Sequence, residues 1–170
     1  MLQESAATQS ERNWAMLAHL TALLTVLVGL HSGGVGSVVA LLVPLGMYLY
    51  FRERSPYVAF HALQATVFQA SIGIAWVVVG AIAGTVLAGA WVVTGLLSVV
   101  LVGLLLVPFA LGLTFLTVIM LLALPVLGLV YPVRGAYLTY SGRPFEYPWV
   151  GPLAARTMAS PLTPDPSPLS

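Results

Sequence analysis

Two histidines and two glutamines carry most of the reactive chemistry this chain can offer. His19 lies in Ala15-Met16-Leu17-Ala18-His19-Leu20, within an apolar segment that reads as a helix. On the helical wheel it shares a face with Ala15, Ala22 and Val26, while Thr21 and Thr25 lie roughly opposite. Small-residue faces pack against other helices, so the imidazole is expected to point inward. There it either shares an interhelical hydrogen bond or serves as a ligand; candidate partners are Gln64, His61 and a backbone carbonyl. Ala15-x-x-x-His19 also matches the loose spacing of a histidine that ligates a tetrapyrrole beneath a small residue. His61, Gln64 and Gln69 fall within an arc of about 140° at helical periodicity and form a second polar stripe. That stripe can line a groove, pair with a headgroup or meet His19.

Imidazole and amide alone make a short list of reactions. There is no Cys, which excludes a disulfide framework, thiol catalysis and Cys-ligated metals. The H-E-x-x-H and G-x-S-x-G patterns are missing, as is a membrane-buried Asp pair. The acids nearest the apolar core, Glu11, Glu53 and Glu146, each adjoin an arginine and are expected to pair with Arg12, Arg54 or Arg143. No enzyme, no metal site and no cofactor are therefore expected. A net charge of +1, with six dispersed arginines, excludes a nucleic-acid binder.

The elements that must position these residues are membrane helices. From Ser55 to Val133 the chain has no Asp, Glu, Lys or Arg, mean hydropathy is +1.00, and 6% of residues are charged. A bilayer span takes about 20 apolar residues, so this stretch alone holds two to three passes. An all-α, polytopic helical membrane bundle is expected. The first span runs from Asn13 to Leu30, and the second from Val38 to Phe51 with Pro44 inside it. Ser55-Pro56 is a helix start, Ser as N-cap and Pro at the first helical position. It opens an interfacial helix before the third span, Thr66 to Ala88, which carries the glycine pair Gly80 and Gly84 at helix-packing spacing. Residues 89–133 suit two passes by length and one by charge. Four spans place all six arginines on one side, whereas five spans split them three and three. Four are favoured and five are the alternative, with Trp91 to Val107 re-entrant, tilted or helix-extending. The domain plan is a polar segment at 1–12, a helical membrane domain at 13–152 and a disordered Pro-rich tail at 153–170. The aromatic segment Tyr137 to Trp149 is expected at the membrane surface.

Three pieces in order carry a family resemblance: Asn13-Trp14-Ala15-Met16-Leu17-Ala18-His19-Leu20, then Arg54-Ser55-Pro56-Tyr57-Val58 with His61 and Phe68-Gln69, then Gly142 with Phe145-Glu146-Tyr147-Pro148. Together they resemble a family of small bacterial membrane proteins of unknown function, grouped with the channel-type component of the chloroplast inner-envelope (Tic) protein translocon. The resemblance covers about Arg12 to Pro152. It implies four helices, cytoplasmic termini and no enzyme. Val67 and Val43-Pro44 depart from the family pattern, and the apolar stretch after Gln69 is longer than its norm.

The expected function is non-enzymatic: an accessory, scaffold or translocon-like component of a membrane complex. The alternatives are a channel or transporter subunit that forms a path on oligomerisation, and a cofactor-binding subunit that uses His19. The expected partners are the lipid bilayer and a membrane protein or second copy. The expected location is the plasma membrane, multi-pass, with both termini cytoplasmic.

Overall fold

The first helix begins at a reciprocal cap. The Thr8 hydroxyl accepts the Glu11 N–H at 3.2 Å, and the Glu11 carboxylate accepts the Thr8 N–H at 2.8 Å. The computed structural model describes residues 7–32 and 35–159; within them the chain is α-helices joined by turns, with no strand. Helix α1 is Gln9–His31, α2 Val35–Phe51, α3 Pro56–Ser98, α4 Gly103–Tyr140 and α5 Val150–Ala159. Ser55 caps α3 as the sequence predicts, its hydroxyl accepting the Val58 N–H at 3.3 Å. Two helices, α3 and α4, are long and apolar enough to cross a bilayer, and α2 is a shorter apolar helix.

The chain divides into two compact units, Met1–Gln69 with Tyr131–Ser170, and Ala70–Val130. In the first, α1 and α2 form a hairpin whose close approach depends on glycine. A Cβ on Gly29 would meet the Ser37 hydroxyl, and one on Gly36 would lie 2.5 Å from Val28. Trp14 and Phe51 close the other end, their rings 5.4 Å apart. The beginning of α3 is buried within this unit through Val58, Ala59, Phe60, Ala62, Ala65 and Phe68.

The second unit has the opposite character. Residues 70–98 of α3 and 103–130 of α4 run antiparallel, tied by Trp76 Nε1 donating to the Leu121 carbonyl at 3.1 Å and Trp91 Nε1 donating to Thr114 at 3.0 Å. Ile74, Val77, Ile82, Leu105, Phe109 and Phe115 are all exposed. In water such a surface would be unstable; against lipid it is the ordinary exterior. The hairpin turns at Val99–Val102 with Leu101 at φ 65°, and a Cβ on Gly103 would strike the Thr94 carbonyl.

Several sequence expectations need correction. The interfacial helix and third span are one helix, because no Pro or Gly interrupts the chain between Pro56 and Gly73. The change at Gln69 is in the surroundings, from protein to exposed apolar surface, and not in the backbone. At 1.5 Å per residue the 43-residue α3 is about 65 Å long, more than twice a hydrocarbon core of about 30 Å. Trp91 to Val107 takes the helix-extending form among the three expected. It ends α3, makes the turn and begins α4, and Pro108 and Pro125 lie inside α4 without ending it. Helix α5 carries structure to Ala159, into the segment expected as tail; residues 160–170 lie outside the described residues.

Gly80 and Gly84 do not make a close helix contact within the chain. A Cβ on Gly80 would sit 3.8 Å from Leu121, and one on Gly84 would meet nothing within 4 Å. By contrast Gly135 is tight, and a Cβ there would lie 2.6 Å from the Phe145 ring. Gly135→Ala should therefore cost about 1–3 kcal/mol by overpacking. Gly84→Leu should move stability by less than about 0.5 kcal/mol. Unfolding of both variants in one detergent checks the pair. A loss at Gly84 comparable to that at Gly135 would show that Gly84 packs against a second copy.

Candidate functional site

A glycine turn builds the site. Helix α4 ends with Gly142 at φ +68°, the Gly142 N–H donating to the Thr139 carbonyl at 3.1 Å and the Arg143 N–H to the Leu138 carbonyl at 2.9 Å. This paired pattern is a Schellman termination, which needs a left-handed residue where Gly carries no Cβ penalty. Space enforces it too, since a Cβ there would lie 2.7 Å from the Arg12 guanidinium. The chain then folds back, and Phe145 and Tyr147 are buried within the protein. Tyr137, Tyr140 and Trp149 remain exposed.

Three segments now meet. From α1 comes His19 (0% exposed), from α3 His61 (1%) and Gln64 (0%), and from the post-α4 segment Tyr147 (1%). His19 Nδ1 shares a hydrogen bond of 2.9 Å with the Tyr147 hydroxyl, and His19 Nε2 one of 3.2 Å with His61 Nδ1. The Tyr147 N–H donates to Gln64 Oε1 at 2.9 Å. Phe68 stacks on Tyr147 at 4.2 Å and 17°, while Phe145 stands edge-on to both Tyr147 and His19. Burial holds the Tyr147 phenol far above its ordinary pKa, so it stays protonated and available as a donor.

Gln69 belongs to a separate rung. The Thr25 hydroxyl donates to Gln69 Oε1 at 2.8 Å, Gln69 Nε2 donates to Thr21 Oγ1 at 2.8 Å, and the Thr21 hydroxyl donates to the Ala18 carbonyl at 2.7 Å. The structure thus brings His19 and His61 together and joins Gln64 to Tyr147. It sends Gln69 to the two threonines that lie off the His19 face. Gly80 and Gly84 stand in the other unit. Sequence reading missed Tyr147, Thr21 and Thr25. A signal for Tyr147 was present in Phe145-Glu146-Tyr147-Pro148, where an aromatic flanked by Pro follows a turn glycine.

The acid–arginine pairs also differ from expectation. Glu11 accepts from Ser55 at 2.7 Å and from Thr8, not from Arg12. Among the described residues the ion pair present is Arg52–Glu53 at 3.4 Å, on the exposed surface, where such pairs contribute little. Arg54 instead lies 4.0 Å over the Tyr50 ring. Chemically, the cluster is a neutral hydrogen-bonded relay closed by aromatic rings. Among the described residues no group of three or more His, Cys, Asp or Glu side chains is placed to hold a metal ion.

Tyr147→Phe keeps the ring stack but leaves His19 Nδ1 unpaired, and should lower stability by about 1–3 kcal/mol. Equilibrium unfolding measures it, and an unchanged midpoint would contradict the geometry. A second expectation concerns pH. The Ser55 hydrogen bond first, then the Thr8 bonds, hold the Glu11 carboxyl below its ordinary pKa. Its stabilisation is therefore present above the ordinary carboxylate range and lost as pH falls through the lowered value. Ser55→Ala should flatten that acid-side loss. Melting temperature against pH, compared between the two proteins, gives the slope, and parallel curves would sink the assignment.

A family model matches residues 10–154, a stretch from the start of α1 into α5 that contains every residue of the buried cluster. The match agrees with the small-bacterial-membrane-protein part of the resemblance and lends no support to the grouping with the chloroplast translocon. No curated protein and no solved structure matches the chain. The chain belongs to the MamF/MmsF family, described as the magnetosome magnetite crystal formation protein family.

Proposed function

We propose that this chain is a multi-pass, non-enzymatic membrane protein that acts as an accessory or scaffold component in the membrane compartment where magnetite crystals form. The family match over residues 10–154 carries this reading. The long apolar helices α3 and α4 support its membrane part. Its non-enzymatic part is supported by the relay itself: His19, His61 and Tyr147 are exposed by 1% or less, so no substrate reaches them. A cofactor role for His19 is disfavoured because both ring nitrogens are already engaged, by Tyr147 and His61. An axial ligand would have to break one of those bonds.

A channel formed on oligomerisation is the weaker reading. Thr85, Thr94, Ser98 and Thr114 in the apolar unit bond back to carbonyls of their own helices, which leaves little polar surface to line a path. The translocon-like role rests on the sequence resemblance alone.

The proposed topology has four passes with both termini cytoplasmic, because that arrangement puts all six arginines on one side. The chain has no Cys, so single cysteines at Ser5 and Ser167 report cleanly. Both should react with an impermeant reagent only after membrane rupture, and opposite accessibility would establish an odd number of passes. Density fractionation of cells that contain magnetosomes tests the compartment. Enrichment in the crystal-bearing membrane supports the proposal, and confinement to the plasma membrane contradicts it.

A further inference from the structure

The Tyr147–His19–His61 relay has a direction, fixed by which protons find acceptors. Gln64 Oε1 takes the Tyr147 N–H, so the Gln64 amide nitrogen, with its two protons, points away from that segment. Gln64 Nε2 and His61 Nε2 are both buried without a hydrogen-bond partner among the described residues. Two neutral orders fit the distances. In the first, the Tyr147 hydroxyl donates to His19 Nδ1, His19 Nε2–H donates to His61 Nδ1, and His61 carries its proton on Nε2. In the second, His61 Nδ1–H donates to His19 Nε2 and His19 Nδ1–H donates to Tyr147. The second order leaves the buried Tyr147 O–H without an acceptor and His61 Nε2 as a bare lone pair. The first leaves one open valence in the relay, an N–H donor, and the N–H donors of Gln64 are open as well. Unpaired buried donors are costly, so the first order with its donors satisfied is the stable one.

We propose that His61 Nε2–H and Gln64 Nε2–H, three residues apart on one face of α3, together bind a single small hydrogen-bond acceptor inside the first unit. Two N–H donors offer no lone pair to a metal cation and attract an oxygen or a halide. Burial favours a small one: His61 and Gln64 are exposed by 1% or less, and the Tyr57 and Phe60 rings stand 4.7 and 5.6 Å from the His61 ring. A one-heavy-atom ligand, a water oxygen or a chloride ion, has the right chemistry. Water suits the neutrality of the site, since it needs no counter-charge.

The chain has three histidines, so selective ¹⁵N-histidine labelling of the intact protein in nanodiscs gives three imidazoles to follow. His31 is exposed and serves as the solvent-exchanging control. Long-range ¹⁵N–¹H correlation reads each tautomer directly. The proposal expects His61 as the Nε2–H form, with a resolved, slowly exchanging proton shifted downfield by an acceptor. A cross-peak from that proton to water, unmoved when chloride is replaced by gluconate, identifies the acceptor as water. A shift of the resonance on that replacement, reproduced with bromide, identifies it as a halide. His61 in the Nδ1–H form overturns the proposal, as does an Nε2 proton that exchanges as fast as that of His31. So does a slow proton that shows neither a water cross-peak nor a halide response.

Discussion

An imidazole with no access to solvent needs partners for both ring nitrogens, and His19 finds them on segments distant in the chain. Tyr147 is 128 positions away and His61 is 42. Through these two bonds a single side chain ties α1, α3 and the segment after α4 together. The rest of the first unit follows from satisfying this residue. Gly135 lacks a side chain so that Phe145 can lie over α4 beside the imidazole. Gly142 reverses the chain so that Tyr147 reaches Nδ1. Gln64 accepts the Tyr147 N–H and fixes that segment from the other side. Away from bulk solvent an unmade bond here is costly, so geometry that would be optional at a surface becomes obligatory.

The two units answer to different solvents. In the first, polar side chains are buried and bonded to one another while aromatic rings fill the space between them. In the second, apolar side chains are exposed and hydroxyls turn back on their own helices. Helix α3 takes part in both, and its sequence changes character at Gln69 without any break in its backbone. The polar cluster therefore lies where the chain has protein neighbours, and the part facing lipid carries none of it. This division supports the accessory reading, because the chemistry of the chain is spent on holding its own helices.

How much of this the sequence discloses depends on the kind of signal. Helical class and membrane residence are legible because they rest on composition over long windows, which lipid imposes on every exposed side chain. The start of α3 is legible because Ser55-Pro56 is a local cap. The pairing of His19 with His61 follows from two polar groups in an apolar region with few other partners to choose from. Other features depend on tertiary geometry. The burial of Tyr147 against protein depends on the Gly142 turn that folds it inward. Thr21 and Thr25 lie off the His19 face and are claimed by Gln69, a partner 44 to 48 positions away. Gly80 and Gly84 show the converse. Their spacing fits helix packing, yet close approaches fall at other glycines, Gly29, Gly36 and Gly135 among them, which no spacing rule singles out.

The central claim is that His19 and Tyr147 act as a coupled pair holding distant segments together. A double-mutant cycle of His19→Leu and Tyr147→Phe, read by reversible unfolding in one detergent, tests it most directly. The account predicts that the second substitution costs much less once the first is made, with a coupling of about 1–3 kcal/mol. Losses that add to within about 0.5 kcal/mol would mean that the two residues do not depend on each other, and would contradict it.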